Sequence, residues 1–143
     1  MKTFKTSILS LILIMFFFSS VFSQTTSDDY LKLGIKHLEK KHYDKALDSF
    51  EKAYVLKSND ANILAFRGQA KHHLNRYQDA ILDYNKALEL QPNYAEVFHL
   101  RGLAKFELKD TTGACEDWDK ANKLGYSDVI DLIIQYCMPK TAE

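Results

Sequence analysis

The chain has 143 residues and balances 19 Lys and Arg against 19 Asp and Glu. Interspersed charges of both signs exclude the concentrated basic face that nucleic-acid phosphates or anionic lipids require, so no nucleic-acid partner is expected. The two cysteines, at positions 115 and 137, are too far apart for a CxxC redox pair and too few for a four-ligand structural zinc site.

The chain opens with Lys2 and Lys5, then an almost unbroken apolar run from Ile8 to Phe18, then Ser19-Ser20-Val21-Phe22-Ser23. A positive start, an apolar centre and a small residue at the cut describe a secretory signal peptide, residues 1–23, cleaved after Ser23. The apolar core spans 11 residues, short of the roughly 20 that cross a hydrocarbon layer. An exported protein is therefore expected, periplasmic or secreted, with no membrane span once the signal is gone. An uncleaved anchor is the alternative, because no charge occurs between Thr6 and Ser27. The remaining domain, 24–143, keeps 19 − 2 = 17 basic residues against 19 acidic ones.

From Ser27 onward the chain repeats itself every 34 residues. In rows starting at Ser27, Ala61 and Ala95 (27–60, 61–94 and 95–128), the small residues Gly34, Gly68 and Gly102 align, as do Ala46, Ala80 and Ala114. The aromatics Phe50, Tyr84 and Trp118 form a further column, followed by Lys52, Lys86 and Lys120, then Ala53, Ala87 and Ala121, then Leu56, Leu90 and Leu124. Tyr30, Leu64 and Phe98 fill an earlier bulky column. Within each row, apolar spacings of 3 and 4 predict two helices: 28–40 and 44–56, 61–74 and 78–90, 95–108 and 112–123. A glycine inside a helix costs about 1 kcal/mol relative to Ala, so three in register imply close approach of the paired helices. Pro92 marks a helix end in the second row, and Gly125 serves as the stop in the third.

The period of 34, with its bulky residue, Gly, Ala, aromatic, Ala and Pro at these offsets, resembles the tetratricopeptide repeat. The likeness runs from Ser27 to Asp128 and implies an all-α fold, an α-α solenoid of three helix-turn-helix repeats. Row three departs from the pattern, with Thr111-Thr112-Gly113 where the others read Tyr43-Asp44-Lys45 and Tyr77-Gln78-Asp79. The following amphipathic segment, 128–137, reads as a capping helix over the last apolar face, with Ser127 or Asp128 as its N-cap. Cys115, early in the last repeat helix, and Cys137, at the end of the cap, then fall on neighbouring elements. A disulfide stapling the cap is one expectation; two buried free thiols are the other.

No catalytic motif occurs: there is no GxSxG, no GxxxxGK[ST] and no HExxH. The chain is expected to be no enzyme and to need no cofactor or metal. His72 and His99 come near one another on the inner surface, but no third ligand completes a metal site, and polar groove residues are the plainer reading. Trp118 belongs to the buried aromatic column.

The resemblance also implies a concave, peptide-holding face built from the first helix of each repeat. The corresponding residues are Asn62, Ala65, Gln69 and His72 in row two and Glu96, His99, Leu103 and Phe106 in row three. Row one adds Asp28, Leu31, Ile35 and Leu38. Family members that clamp the carboxylate of a chaperone C-terminus use Lys, Asn and Arg; the matching positions here are Leu31, Ile35, Phe66, Glu96 and Leu100, so that clamp is absent. The signal ending "FSQ" and the stretch "ACEDWDKANKLG" are similar to small exported repeat proteins of Bacteroidetes. The expected partner is a peptide or protein segment of an envelope or secreted protein. The alternative is a structural protein that associates with itself, as a homodimer, through Leu31 and Ile35.

Overall fold

A computed structural model describes residues 25–138; the segment read as a signal peptide lies outside the described residues. Among the described residues the helices of 13 or 14 residues are, in order, α1 (Ser27–Glu39), α2 (Tyr43–Leu56), α3 (Ala61–His73), α4 (Tyr77–Leu90), α5 (Ala95–Glu107) and α6 (Thr111–Lys123). There are no strands among the described residues. The helices form three pairs, α1/α2, α3/α4 and α5/α6, and each pair stacks on the next. First helices of neighbouring layers also touch, α1 with α3 and α3 with α5, which makes them the inner side of an all-α solenoid.

The columns explain this packing. Phe50, Tyr84 and Trp118 are fully buried, and each ring lies over the glycine of its own pair, Gly34, Gly68 or Gly102. The glycines therefore make room for a ring as well as for a backbone. The alanine columns Ala46/Ala80/Ala114 and Ala53/Ala87/Ala121 are also fully buried. Layers then join through residues such as Phe66, whose ring stacks 5.7 Å from Phe50 of the preceding layer. In row one the places of Phe66 and Ala70 are taken by exposed Lys32 and Lys36, so the first layer presents a charged outer end.

The turn inside each pair repeats as well. Lys41, Asn75 and Lys109 adopt left-handed φ values of 58°, 60° and 66°. The amide two residues past the cap reaches back to close the helix, as in His42 N–H to His37 C=O, Arg76 to Lys71 and Asp110 to Lys105. The unusual Thr111-Thr112-Gly113 of row three starts α6 in the same register as its counterparts, capped by the Asp110 carboxylate, which accepts the Gly113 amide at 2.9 Å. After α6, Gly125 at φ 92° ends the helix, with Tyr126 N–H donating to Ala121 C=O.

The final segment is less regular than its sequence pattern. It runs as a 3-10 turn (Ser127–Val129), an α turn (Ile130–Leu132) and a π turn (Ile133–Cys137). Neither Ser127 nor Asp128 caps it by a side-chain hydrogen bond; Tyr126 holds the N-cap position. Packing explains the irregularity. Val129 is fully buried beside Trp118 and Ala121, and at the other end the widened turn brings Cys137 to Cys115, with which it forms a disulfide across Cα atoms 5.6 Å apart.

Candidate functional site: the inner face of the helix stack

Burial and contacts divide the inner residues into three zones. In row one, Leu31, Ile35 and Leu38 are half-buried against the Phe50 cluster, while Asp28 and Glu39 at either end are exposed. In row two, Ala65 is buried against the Tyr84 cluster, and Gln69 is half-buried. Asn62 is exposed, and its Oδ1 accepts the Tyr94 hydroxyl at 3.0 Å. His72 lies edge-on to Tyr77 with ring centroids 5.1 Å apart, and its neighbour His73 stacks on Tyr43 at 4.4 Å.

Row three is closed on one side by the terminal segment. The His99 ring stacks on Tyr126 at 5.2 Å, and the His99 carbonyl accepts the Trp118 indole N–H. Phe106 packs against Tyr136 at 4.6 Å and Trp118 at 5.8 Å. Leu103 belongs to the same cluster. Glu96 and Glu107 remain exposed at the two ends of α5. The structure thus brings His99, Leu103 and Phe106 together with the cap and leaves Asn62, Gln69 and Glu96 on the open surface.

The electrostatics follow from that placement. Burial holds the imidazoles of His72 and His99 below their ordinary pKa, so both are neutral at pH 7. His72 also senses His73, Glu107 and His99, which places these groups within electrostatic reach of one another. Burial raises the Tyr126 phenol, and the Asp128 and Glu96 carboxylates raise it further. Among the described residues no three His, Cys, Asp or Glu side chains converge on a possible metal position.

One repeated arrangement has no counterpart in the expectations drawn from sequence. Asp83, buried on α4, accepts Nε and Nη2 of Arg67 at 2.9 and 2.5 Å and Nζ of Lys71 at 2.6 Å. One layer on, Asp117 accepts the same two nitrogens of Arg101 at 2.8 and 2.6 Å, and Lys105 Nζ lies 2.9 Å away. Arg101 further donates to Asn85 Oδ1 of the preceding layer at 2.7 Å. These triads occupy the seam between first and second helices. Their effect on the site is indirect: they hold four cations away from the inner face. The visible signal was the 34-residue spacing of Arg67/Arg101, Lys71/Lys105 and Asp83/Asp117.

Residues 68–109 match the family model described as a TPR repeat. No curated protein matches the sequence. Among solved structures, the first TPR of Spaghetti (RPAP3) bound to the HSP90 peptide SRMEEVD is similar with a TM-score of 0.75 at 22% identity, over 80% of this chain and 92% of that one. The Arabidopsis OM64 TPR domain gives 0.74 at 22% identity, over 81% and 96%. MamA gives 0.71 at 22% identity, over 76% and 63%. Three stacked helix pairs with a ring over a glycine in each, and these likenesses, agree: the fold of this chain is that of the tetratricopeptide repeat.

Proposed function

We propose that the chain is an exported scaffold, not an enzyme, whose concave face holds a segment of another envelope or secreted protein. The observation that carries this reading is the inner face itself. It runs over the first helices of three layers, with a half-buried apolar stretch in row one, amide and imidazole groups in row two, and in row three His99, Leu103 and Phe106 packed against the terminal segment. A surface of this kind suits a segment that offers both apolar side chains and hydrogen-bonding groups. Similar structures include the first TPR of Spaghetti bound to an HSP90 peptide and a complex of a yeast Sti1 domain with pHsp70, which supports peptide holding as the use of such a face. Export is supported by the apolar N-terminal segment and by the disulfide, which persists in oxidising compartments.

The test is co-purification from envelope extract, with the wild type beside a variant carrying Ile35→Ala, Gln69→Ala and His72→Ala. A partner held by the first and lost by the second is the expected result. Equal capture by both would move the binding site off the inner face.

Self-association is the second reading, and one observation favours it. Ile130, Ile134 and Met138 recur every fourth residue on the terminal segment and are 44, 55 and 55% exposed. Mass that rises with concentration, and falls on Ile134→Asp, would establish it.

A further inference from the structure

The terminal segment lies over part of the inner face and is fastened there in an unusual way. Among the described residues no hydrogen bond or ion pair joins 127–138 to α1–α6. Apolar contact of Val129, Leu132 and Ile133 with the Trp118 cluster holds one side, and the disulfide holds the end. The other side, with Ile130, Ile134 and Met138, is exposed. Each of its turns is too short to persist as helix without such support. Two of the positions it covers belong to the inner face. Tyr136 lies against Phe106 at 4.6 Å, and Leu103 shares the cluster with Cys137. Tyr136 immediately precedes Cys137 in the chain, so the bond to Cys115 fixes the ring that covers Phe106.

We infer that this segment is a strap over the row-three end of the inner face, and that Cys115–Cys137 is its latch, opened by a dithiol reductant and closed again by oxidation. This rests on the groove reading above and supplies its regulation. One thiolate of the dithiol attacks a sulfur of the pair; the S–S bond breaks as a mixed disulfide forms, and the other cysteine leaves as a thiolate that takes up a proton. The second thiol of the dithiol then displaces the first cysteine. Two electrons pass to the protein, the dithiol ends as a disulfide, and Cys115 and Cys137 end as thiols. Cutting a loop of this length should raise the population of the undocked strap by about two orders of magnitude. Undocking uncovers Leu103 and Phe106 and lengthens the groove into the third layer.

The strap can be followed directly. Trp118 is the chain's one tryptophan, fully buried beside Val129 and 6.4 Å from Tyr136 between ring centroids. The full chain is compared oxidised, after dithiothreitol, and as Cys115→Ser with Cys137→Ser, which has no bond to reduce. Reduction should move Trp118 emission to longer wavelength while the helical circular dichroism of the stack is kept. The double variant should show the shifted emission with or without dithiothreitol. Unshifted emission in both opened forms would overturn the latch, because packing alone then holds the strap. A shift accompanied by loss of the circular dichroism would overturn it as well, since the whole stack then depends on the bond. Decapeptides selected from a displayed random library on the double variant should bind it at least about tenfold more tightly than the oxidised chain by fluorescence anisotropy. Equal affinity for the two would overturn the regulation and leave the groove reading standing. Peptides indifferent to Ile35→Ala, Gln69→Ala and His72→Ala, or no retained peptide on either form, would overturn the groove reading beneath it.

Discussion

The ring of Tyr84 lies directly over Gly68, so closely that a Cβ on the glycine would come within 2.6 Å of the ring's Cε1. Neither the ring nor the helix behind it can retreat, because Tyr84 is fully buried between layers. Gly68→Ala should therefore destabilise despite the better helix propensity of alanine. Overpacking costs about 1–3 kcal/mol and the propensity gain is about 1 kcal/mol, so a net loss of up to about 2 kcal/mol is expected. Urea denaturation checks it, and a variant as stable as the wild type would show that the ring can slide.

The same ring carries an anomaly at its tip. The Tyr84 hydroxyl is buried and makes no hydrogen bond among the described residues, and burial drives its pKa far above the ordinary range. Its counterparts avoid the problem: Phe50 has no hydroxyl, and Trp118 donates to the His99 carbonyl. Tyr84→Phe should remove a desolvated polar group and stabilise by about 1 kcal/mol. A drop in melting temperature would mean that the hydroxyl has a partner of its own.

Asp83 is 4% exposed and is the shared counter-ion of Arg67 and Lys71. Asp83→Asn would leave two part-buried cations short of their counter-ion, at a cost of up to about 3 kcal/mol. Row one shows another solution at the same three positions, Leu33, His37 and Ser49. Transplanting it, as Arg67→Leu, Lys71→His and Asp83→Ser together, should recover most of the loss. If the triple variant is no more stable than Asp83→Asn, the triad does more than satisfy its own charges.

The disulfide acts on the end of the stack. The loop it closes, with Cys115 and Cys137 separated by 22 positions, is worth about 3 kcal/mol in the chain-entropy model. The segment it pins is made of short irregular turns with little helical stability of their own. Cys137→Ser should therefore open the cap before the rest unfolds, read as faster hydrogen exchange at Val129 and Trp118 than at Tyr84. Uniform exchange would show that packing of Val129 and Tyr136 is enough.

How far the sequence reaches depends on whether a feature repeats. The helix pairs were legible because Gly34, Gly68 and Gly102 keep one register with Phe50, Tyr84 and Trp118, and packing enforces that register. The ion triads were not read, although Arg67 and Arg101 also repeat, because charged residues on an amphipathic helix look like a solvated face. The groove was legible as positions but not as surroundings. His99 and Phe106 share their space with Tyr126 and Tyr136, and that contact depends on where the irregular terminal segment docks.

The histidines set the acid response. His72, His73 and His99 all have folded-state pKa values below 6.5, with burial the first cause in each. The groups facing them include His73, Glu107, His99 and Tyr77 around His72, Lys41 and Tyr43 near His73, and Asp128 and Tyr126 near His99. Below pH 6.5 the unfolded chain binds protons that the folded chain resists, so stability is full above that pH. It should fall as the pH drops from 6.5 and level off once it is below the folded values. Carboxylates such as Asp29 and Asp79, held low by hydrogen bonds to Thr26 and Arg76, act only in a more acidic range. The check is the urea midpoint from pH 7.5 to 5 for the wild type and for His72→Gln with His99→Gln. The double variant should show a flatter profile, and identical slopes would assign the acid response to other groups.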